Sequence, residues 1–349
     1  MASLIDIAAL TVNPEEAQEI GKLIIEKALV QGELSEDHEI ETGILYKTQI
    51  PFAGSIADSL KKADGCTSNV GTGVAMTEKY WEPEIYGSRF IHCAGDLNKL
   101  FKLFQKAQRI NPEFYDRINS PEMGVIYALI ETMLRETLPV KVWFSDKAAA
   151  IEPAGNFKTG TDLALYNVIN GLFKQIFADA TIPRVTITQN AAASYALQAL
   201  PADSALGYLQ AVVNKADSRM LIDATSKILV TRSIADNYRN SLRANTLGAG
   251  FLEVVEGGRP RLFFDNYEVK VRHDWDANIL ALEDNGTVLN KPHRIVMTTP
   301  SNIPVGTLST DDLTTLDSFY DRTLKSNIVD VAFSLDAKFL ESYMASVAY

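Results

Sequence analysis

Histidine can act as an acid, a base or a metal ligand, and this chain has four histidines. None of them has the sequence spacing of a known catalytic or metal-binding motif. They are His38, His92, His273 and His293. The sequence has no HExxH pair, which would place two zinc ligands on one helix face, and no GxSxG turn around a nucleophilic serine. A lone histidine beside an aspartate, as at His273-Asp274, is typical of a hydrogen-bonding group. The sequence therefore predicts no catalytic histidine and no metal site.

Glycines and paired acids give equally weak signals. Gly71-Thr72-Gly73 lacks the third glycine and the following helix of a dinucleotide-binding loop, and no GxxxxGK[ST] occurs. The pairs Glu36-Asp37 and Asp311-Asp312 are typical of helix caps and solvated charge. We predict no catalytic, cofactor-binding or metal-binding residue and no cofactor. A sequence does not show two carboxylates at a fixed separation in space, so an α+β hydrolase with acidic catalytic residues stays an alternative.

Composition and charge limit the class of protein. The chain has 349 residues, of which 46% are hydrophobic and 22% charged, as in ordinary globular proteins. At about 150 residues per domain, this length predicts two domains. The net charge is 33 − 44 = −11, which argues against an extended surface for binding duplex DNA. Residues 1–64 alone carry 12 acids and 5 bases, a net charge of −7.

The same sequence indicates a reducing compartment without membrane contact. Cys66 and Cys93 are the two cysteines, too few for a disulfide framework. The first ten residues lack the basic region of a signal peptide, and no run of 18 apolar residues occurs.

Helical and strand patterns alternate along most of the chain, which predicts the α+β class. Ser120-Pro121-Glu122 begins a long helix, and Pro139 is expected to end it before a strand over 140–144. Residues 33–41 read as a charge-rich break. Further elements are predicted as helices over 96–109 and 162–178 and from Asp203 and Ser233, strands over 183–188, 227–231, 294–298 and 329–339, a hairpin at Gly257-Gly258 and a turn at Asn285-Gly286.

Residues 42–95 differ from the rest of the chain. They hold seven of its 20 glycines and show no helical period. A long irregular segment inside a compact protein usually carries function or contacts a partner. Aromatic residues are typical of interfaces, so the predicted contacts with a neighbouring subunit are Tyr80, Trp81, Tyr86 and Phe90. An ordinary β-rich subdomain is the alternative.

Four blocks of the sequence resemble the major capsid proteins of tailed bacteriophages with the Hong Kong 97-type fold. The likeness lies in the order of these blocks and in the character of their residues, and it covers roughly 95–340. The blocks are 165–176 (LYNVINGLFKQI), 229–238 (LVTRSIADNY), 292–300 (PHRIVMTTP) and 331–338 (VAFSLDAK).

The resemblance implies a particular division of the chain. It implies an N-terminal arm, an extended loop, a peripheral domain with a spine helix at 120–138, and an axial domain. We expect the arm at 1–41, the loop at 42–95, the peripheral domain at 96–159 and 309–349, and the axial domain at 160–308. Such proteins often carry a scaffolding segment ahead of the arm. Here only about forty residues precede the loop, so we expect either a separate scaffolding protein or a scaffolding segment that has already been removed.

The implied function is that of a non-enzymatic major capsid protein. It would self-assemble into hexamers and pentamers that form an icosahedral shell around packaged double-stranded DNA. Its partners would be its own copies, a portal, a scaffolding protein and weakly held DNA, with no membrane. The expected location is the virion capsid, after assembly in the host cytoplasm. A nanocompartment shell or a tail protein is a further alternative.

Overall fold

The computed structural model describes residues 33–44, 47–50, 79–92, 121–244, 252–254, 260–307, 315–321, 323 and 326–349. Within these ranges the chain is a mixed α+β protein with two sheets. Several expectations fall outside them: the arm before Glu33, the helix over 96–109, and both cysteines, Cys66 and Cys93.

Helices alternate with strands along much of the described chain. The α-helices are α1 (Glu33–Asp37), α2 (Pro121–Phe144), α3 (Leu172–Ala178), α4 (Tyr195–Gln198), α5 (Ser204–Lys215), α6 (Ser218–Ile222), α7 (Arg232–Ala244) and α8 (His273–Leu282). Short 3-10 helices span Leu163–Leu165, Thr188–Ala191, Pro300–Asn302 and Ser342–Met344.

The strands fall into a larger and a smaller sheet. They are β1 (Ile40–Glu41), β2 (Glu84–His92), β3 (Arg184–Val185), β4 (Lys227–Val230), β5 (Leu252–Val254), β6 (Pro260–Phe264), β7 (Tyr267–Val271), β8 (Ile295–Thr298), β9 (Val305–Gly306), β10 (Thr315–Asp321), β11 (Ser326–Ala337) and β12 (Ala345–Ala348). Among the described residues, the larger sheet has the order β3-β12-β8-β4-β7-β6-β5. The smaller has the order β1-β9-β11-β10, and β2 also pairs with β11.

The prediction that Pro139 ends the long helix is wrong. Helix α2 continues to Phe144, so the strand predicted over 140–144 is its last turn and a half. A buried row at four-residue spacing explains the continuation: Ile130, Leu134, Leu138 and Val142 are each at most 2% exposed. An interior proline costs a helix about 3 kcal/mol. Burying Val142, Trp143 and Phe144 returns about 1.5–3 kcal/mol each, so the burial outweighs the proline.

Two other local predictions were wrong for reasons of tertiary contact. Residues 33–41 are not a break, because α1 and β1 form there. The helix predicted over 162–178 is divided, since residues 166–171 turn along the end of α2. Backbone hydrogen bonds join Asp146 N to Tyr166 O (2.9 Å) and Gly171 N to Ser145 O (2.7 Å). A Cβ at Gly171 would lie 2.8 Å from Ser145 N, so this close approach needs glycine.

After β11 the chain forms one more strand, which the sequence did not predict. We expected 309–349 to return to the peripheral domain, and β11 does lie in the smaller sheet. Strand β12, however, is inserted in the larger sheet, parallel to β3 and antiparallel to β8. Its four small residues are all buried, which suits a central strand between two neighbours. The other predicted elements from Asp203 to β8, including the strand pair around Gly257-Gly258, are confirmed.

We predict that Ile130→Asp severely destabilises the protein. The Ile130 side chain is fully buried, so the carboxylate would stand unpaired in the core and cost several kcal/mol of unfolding free energy. The matched control Ile130→Val should cost only about 0.5–1.5 kcal/mol. Urea unfolding of both variants measures the difference, and equal stabilities would contradict the packing described for α2.

Candidate functional site

Of the four predicted contact residues, Trp81 is buried within its own chain. It is 2% exposed and packs with Ile44, Ile50 and Leu340. Its ring also lies against Gly306, where an added Cβ would be 2.7 Å from the ring carbons. Trp81 Nε1 donates a hydrogen bond to the Glu41 carboxylate at 3.1 Å. The prediction that Trp81 reaches a neighbouring subunit is therefore wrong, because the indole fills a pocket of its own fold.

Tyr86 and Phe90 are half-buried on the inward face of β2. The Tyr86 ring stacks on Phe333 with centroids 5.6 Å apart, and Phe90 packs against the main core. Burial raises the pKa of Tyr86 to about 12. Strand β2 itself makes nine residue pairs with β11, so residues 84–92 of the expected extended loop are part of a sheet. Tyr80 is 40% exposed, and its contact with a neighbour stays a prediction.

The outward face of β2 carries apolar residues that the sequence interpretation missed. Ile85 and Ile91 are 76% and 53% exposed. Between them Arg89 donates two hydrogen bonds to the Asp330 carboxylate on β11, at 2.7 and 2.6 Å. In the described part of the chain, only β11 pairs with β2, so its other edge has no strand partner. The sequence of Glu84–His92 shows no apolar–polar alternation, because Ile85-Tyr86 and Phe90-Ile91 are adjacent apolar pairs, so it did not indicate which residues face outward.

A buried ionic cluster attaches residues 33–41 to the larger sheet. Arg272, at the end of β7, pairs with Asp37 and, at 2.7 Å, with Asp274. Lys270 Nζ lies 2.9 Å from Asp37 Oδ1 and 2.6 Å from Glu36. Burial opposes ionisation of Asp37, but Arg272 and Lys270 outweigh it and hold the pKa of this carboxyl below its ordinary value. The cluster therefore adds buried ion pairs to the apolar contact that Leu34 of α1 makes with the core.

His293 and Ser233 form a hydrogen bond that has a structural role. His293 Nε2 lies 2.6 Å from the Gln198 carbonyl and must donate to it, so Nδ1 accepts from Ser233 Oγ at 2.7 Å. Burial lowers the pKa of His293. Its second partner is a carbonyl rather than the carboxylate of a catalytic triad. These bonds tie the chain before β8 to the first turn of α7, as expected for a hydrogen-bonding histidine.

A cavity of about 300 Å³ lies at the end of α2, beside α3. The carboxylates of Asp146 and Glu283 both line this cavity, so it is the candidate location for a pair of catalytic acids. Asp146 pairs with Lys174 at 2.7 Å, and Glu283 pairs with the buried Arg294. Both carboxylates are therefore engaged in ion pairs in this arrangement.

Within the described residues, no group of three or more His, Cys, Asp and Glu side chains is arranged to hold a metal ion. Among the helices described, none combines the length and apolar character needed to cross a membrane.

We predict that Asp37→Asn costs about 3 kcal/mol, the lower end of the range for breaking a buried ion pair, since Arg272 keeps Asp274. The control Glu36→Gln removes a largely exposed partner of Lys270 and should cost less than about 1 kcal/mol. Because the pKa of Asp37 is lowered by folding, its contribution holds above about pH 4 and is lost as pH falls further. Urea unfolding at pH 7 tests this order, and an equal loss in the two variants would contradict it.

Comparison with known proteins gives structural matches without sequence matches. No family model matches the chain, and no curated protein sequence matches it. A chain of the procapsid of satellite phage P4 matches with a TM-score of 0.54 and 11% identity, over 94% of this chain and 98% of that one.

Two further matches have lower TM-scores. The mature capsid of bacteriophage PhiM1 matches with a TM-score of 0.47 and 9% identity, over 89% and 85% of the two chains. A virus-like particle from Pyrococcus furiosus matches with a TM-score of 0.43 and 10% identity, over 97% and 100%. The P4 match spans nearly all of both chains, and the fold is assigned from it. The expected fold is confirmed at this level: the chain has the Hong Kong 97-type fold of the matched procapsid chain.

Proposed function

We propose that this chain is a major capsid protein whose copies form hexamers and pentamers of an icosahedral shell around double-stranded DNA. One observation carries the proposal: the described fold matches a P4 procapsid chain over 94% of this chain and 98% of that one. A match across both whole chains supports a role for the entire protein rather than for one shared module. We propose the virion capsid as its location and a non-enzymatic role, which is supported by the ion pairs that Asp146 makes with Lys174 and Glu283 with Arg294.

We also propose a division of labour along the chain. Residues 1–41 would be the N-terminal arm and 42–95 would contain the extended loop, with its projecting part before β2. Residues 96–159 and the segment from 309 through β11 would form the peripheral domain, with α2 as the spine helix. Residues 160–308 would form the axial domain, and the pairing of β12 with β3 and β8 supports adding Ala345–Ala348 to it.

The outward face of β2 is our proposed contact with a second copy of the chain. Exposed Ile85 and Ile91 flank the Arg89–Asp330 pair beside an edge without a described strand partner. Natural proteins normally cover or charge such edges, because an exposed apolar edge strand pairs with other chains. In a closed shell each subunit meets several neighbours, so such weak contacts multiply into a stable particle.

Further partners follow from the proposed role. A portal and a separate scaffolding protein would act during assembly in the host cytoplasm. Contact with packaged DNA would be weak, since a net charge of −11 gives little affinity for phosphates. A wall of this charge would not hinder packaging or ejection of the DNA.

Negative-stain microscopy of the purified full chain at high concentration tests the function. We expect closed particles with fivefold and sixfold rings of subunits. Stacked tubes would favour a tail protein, and closed particles purified from the native source without DNA would favour a nanocompartment. A chain that stays monomeric at every concentration, with scaffolding protein added, would overturn the proposal.

We predict that Ile85→Asp lowers the particle fraction at least about tenfold, since a carboxylate buried between subunits would cost several kcal/mol per contact. The melting temperature of the unassembled chain should stay unchanged, because Ile85 is 76% exposed there. The conservative control Ile85→Leu should assemble like the original protein. Light scattering measures the particle fraction, and normal assembly of Ile85→Asp would exclude this face as an interface.

A further inference from the structure

His38 is fully buried where the end of the expected arm meets the body. It directly follows α1, and its ring lies 5.5 Å from that of Trp143 at the end of α2. Nδ1 is 2.8 Å from the backbone oxygen of Ile303. A carbonyl oxygen only accepts, so Nδ1 must carry the proton and donate it. The neutral ring therefore has its unprotonated nitrogen at Nε2.

Nε2 of His38 is buried and has no hydrogen-bond partner among the residues that the structure describes. Protonation would place an N–H donor at this atom without an acceptor, inside the core. A buried charge without a partner is strongly unfavourable, so the closed structure accepts only the neutral ring.

The charged groups around His38 do not offset this cost. Asp37 is adjacent in sequence, but its two oxygens are already engaged by Arg272 and Lys270. Lys270 in β7 and Arg272 directly after it both oppose a positive charge on the imidazole. Glu36 pairs with Lys270, and Asp274 at the start of α8 pairs with Arg272. Burial first, and these cations next, lower the pKa of His38 to about 4.

The other contacts of the segment around His38 lie along one edge of the smaller sheet. Helix α1 has five residues, and β1 pairs with β9 over two residues, with further backbone hydrogen bonds from residues 39 and 41 to the chain around β9. Leu34 is buried, Ile40 packs against the core, and the Lys227 ammonium donates to the Glu36 carbonyl. Because α1 is short and β1 is an edge strand in the described part of the chain, the segment can open locally while the larger sheet and α2 remain folded.

We propose that residues 33–41 form an acid-released latch, in which protonation of His38 detaches the end of the arm from α2 and β9. In the detached segment the histidine titrates near its ordinary pKa of about 6.5. The closed state is therefore fully favoured above that pH and loses about tenfold in its closing equilibrium for each pH unit between about 6.5 and 4. Asp37 adds a loss in the same direction only below about pH 4. The latch is a property of the single chain and does not depend on the proposed function.

Hydrogen–deuterium exchange of the unassembled full chain at pH 7, 5.5 and 4.5 tests the latch, after correction for intrinsic exchange. Peptides covering 33–41 should lose protection about tenfold per pH unit, while those of α5 keep theirs. In His38→Asn the side-chain amide can donate to the Ile303 oxygen from the position of Nδ1, but it does not titrate. We expect its 33–41 protection to be independent of pH over this range.

Two outcomes would overturn the latch. One is protection of 33–41 that stays constant from pH 7 to 4.5 in the original protein. The other is an equal loss of protection in His38→Asn. Should that variant fold poorly, an NMR titration of the His38 ring in the original protein decides the question, because an apparent pKa of 6 or above would contradict the buried neutral ring.

Discussion

The indole of Trp143 is the contact on which the described fold depends most. This fully buried ring meets His38, Phe173 and Trp275, with ring centroids 5.5, 5.0 and 4.6 Å away. These three residues come from the segment after α1, from α3 and from α8. One side chain at the end of α2 thus joins residues 33–41 to two helices that share a core with the larger sheet. The long helix must extend past Pro139 to deliver it, which is why tertiary burial overrides the local preference of proline.

The sequence predicted best where local signals and burial agree. The hydrophobic patterns of α5, α7, β4 and β8 were sufficient, because each has one clear buried face or a continuous apolar run. The resemblance predicted the architecture that the P4 match supports. What failed depended on distant partners. Neither α1 nor the helical state of 140–144 is visible without the cluster around Asp37 or the packing of Trp143.

The same limit applies to the candidate contact site. The aromatic content of 42–95 led to the prediction that Trp81 contacts a neighbouring subunit. Its ring instead fills a pocket within the chain, formed by Ile44, Ile50, Leu340 and Gly306. Those residues are spread over about 300 positions of the sequence, so no local sequence pattern predicts the pocket. Ile85 and Ile91 are exposed only because β11 fixes the register of β2. A one-residue shift would have exposed Tyr86 and Phe90 instead.

The path of the chain between the two sheets has a consequence for folding. After β8 the polypeptide leaves the larger sheet, builds β9, β10 and β11 of the smaller one, and then returns to insert β12 beside β8. The two sheets are therefore interlocked, and neither is a contiguous piece of sequence. A fragment ending at residue 308 would lack a central strand and leave the edges of β3 and β8 open. Long-range pairing of this kind closes slowly, because the loop entropy is lost before the contacts form.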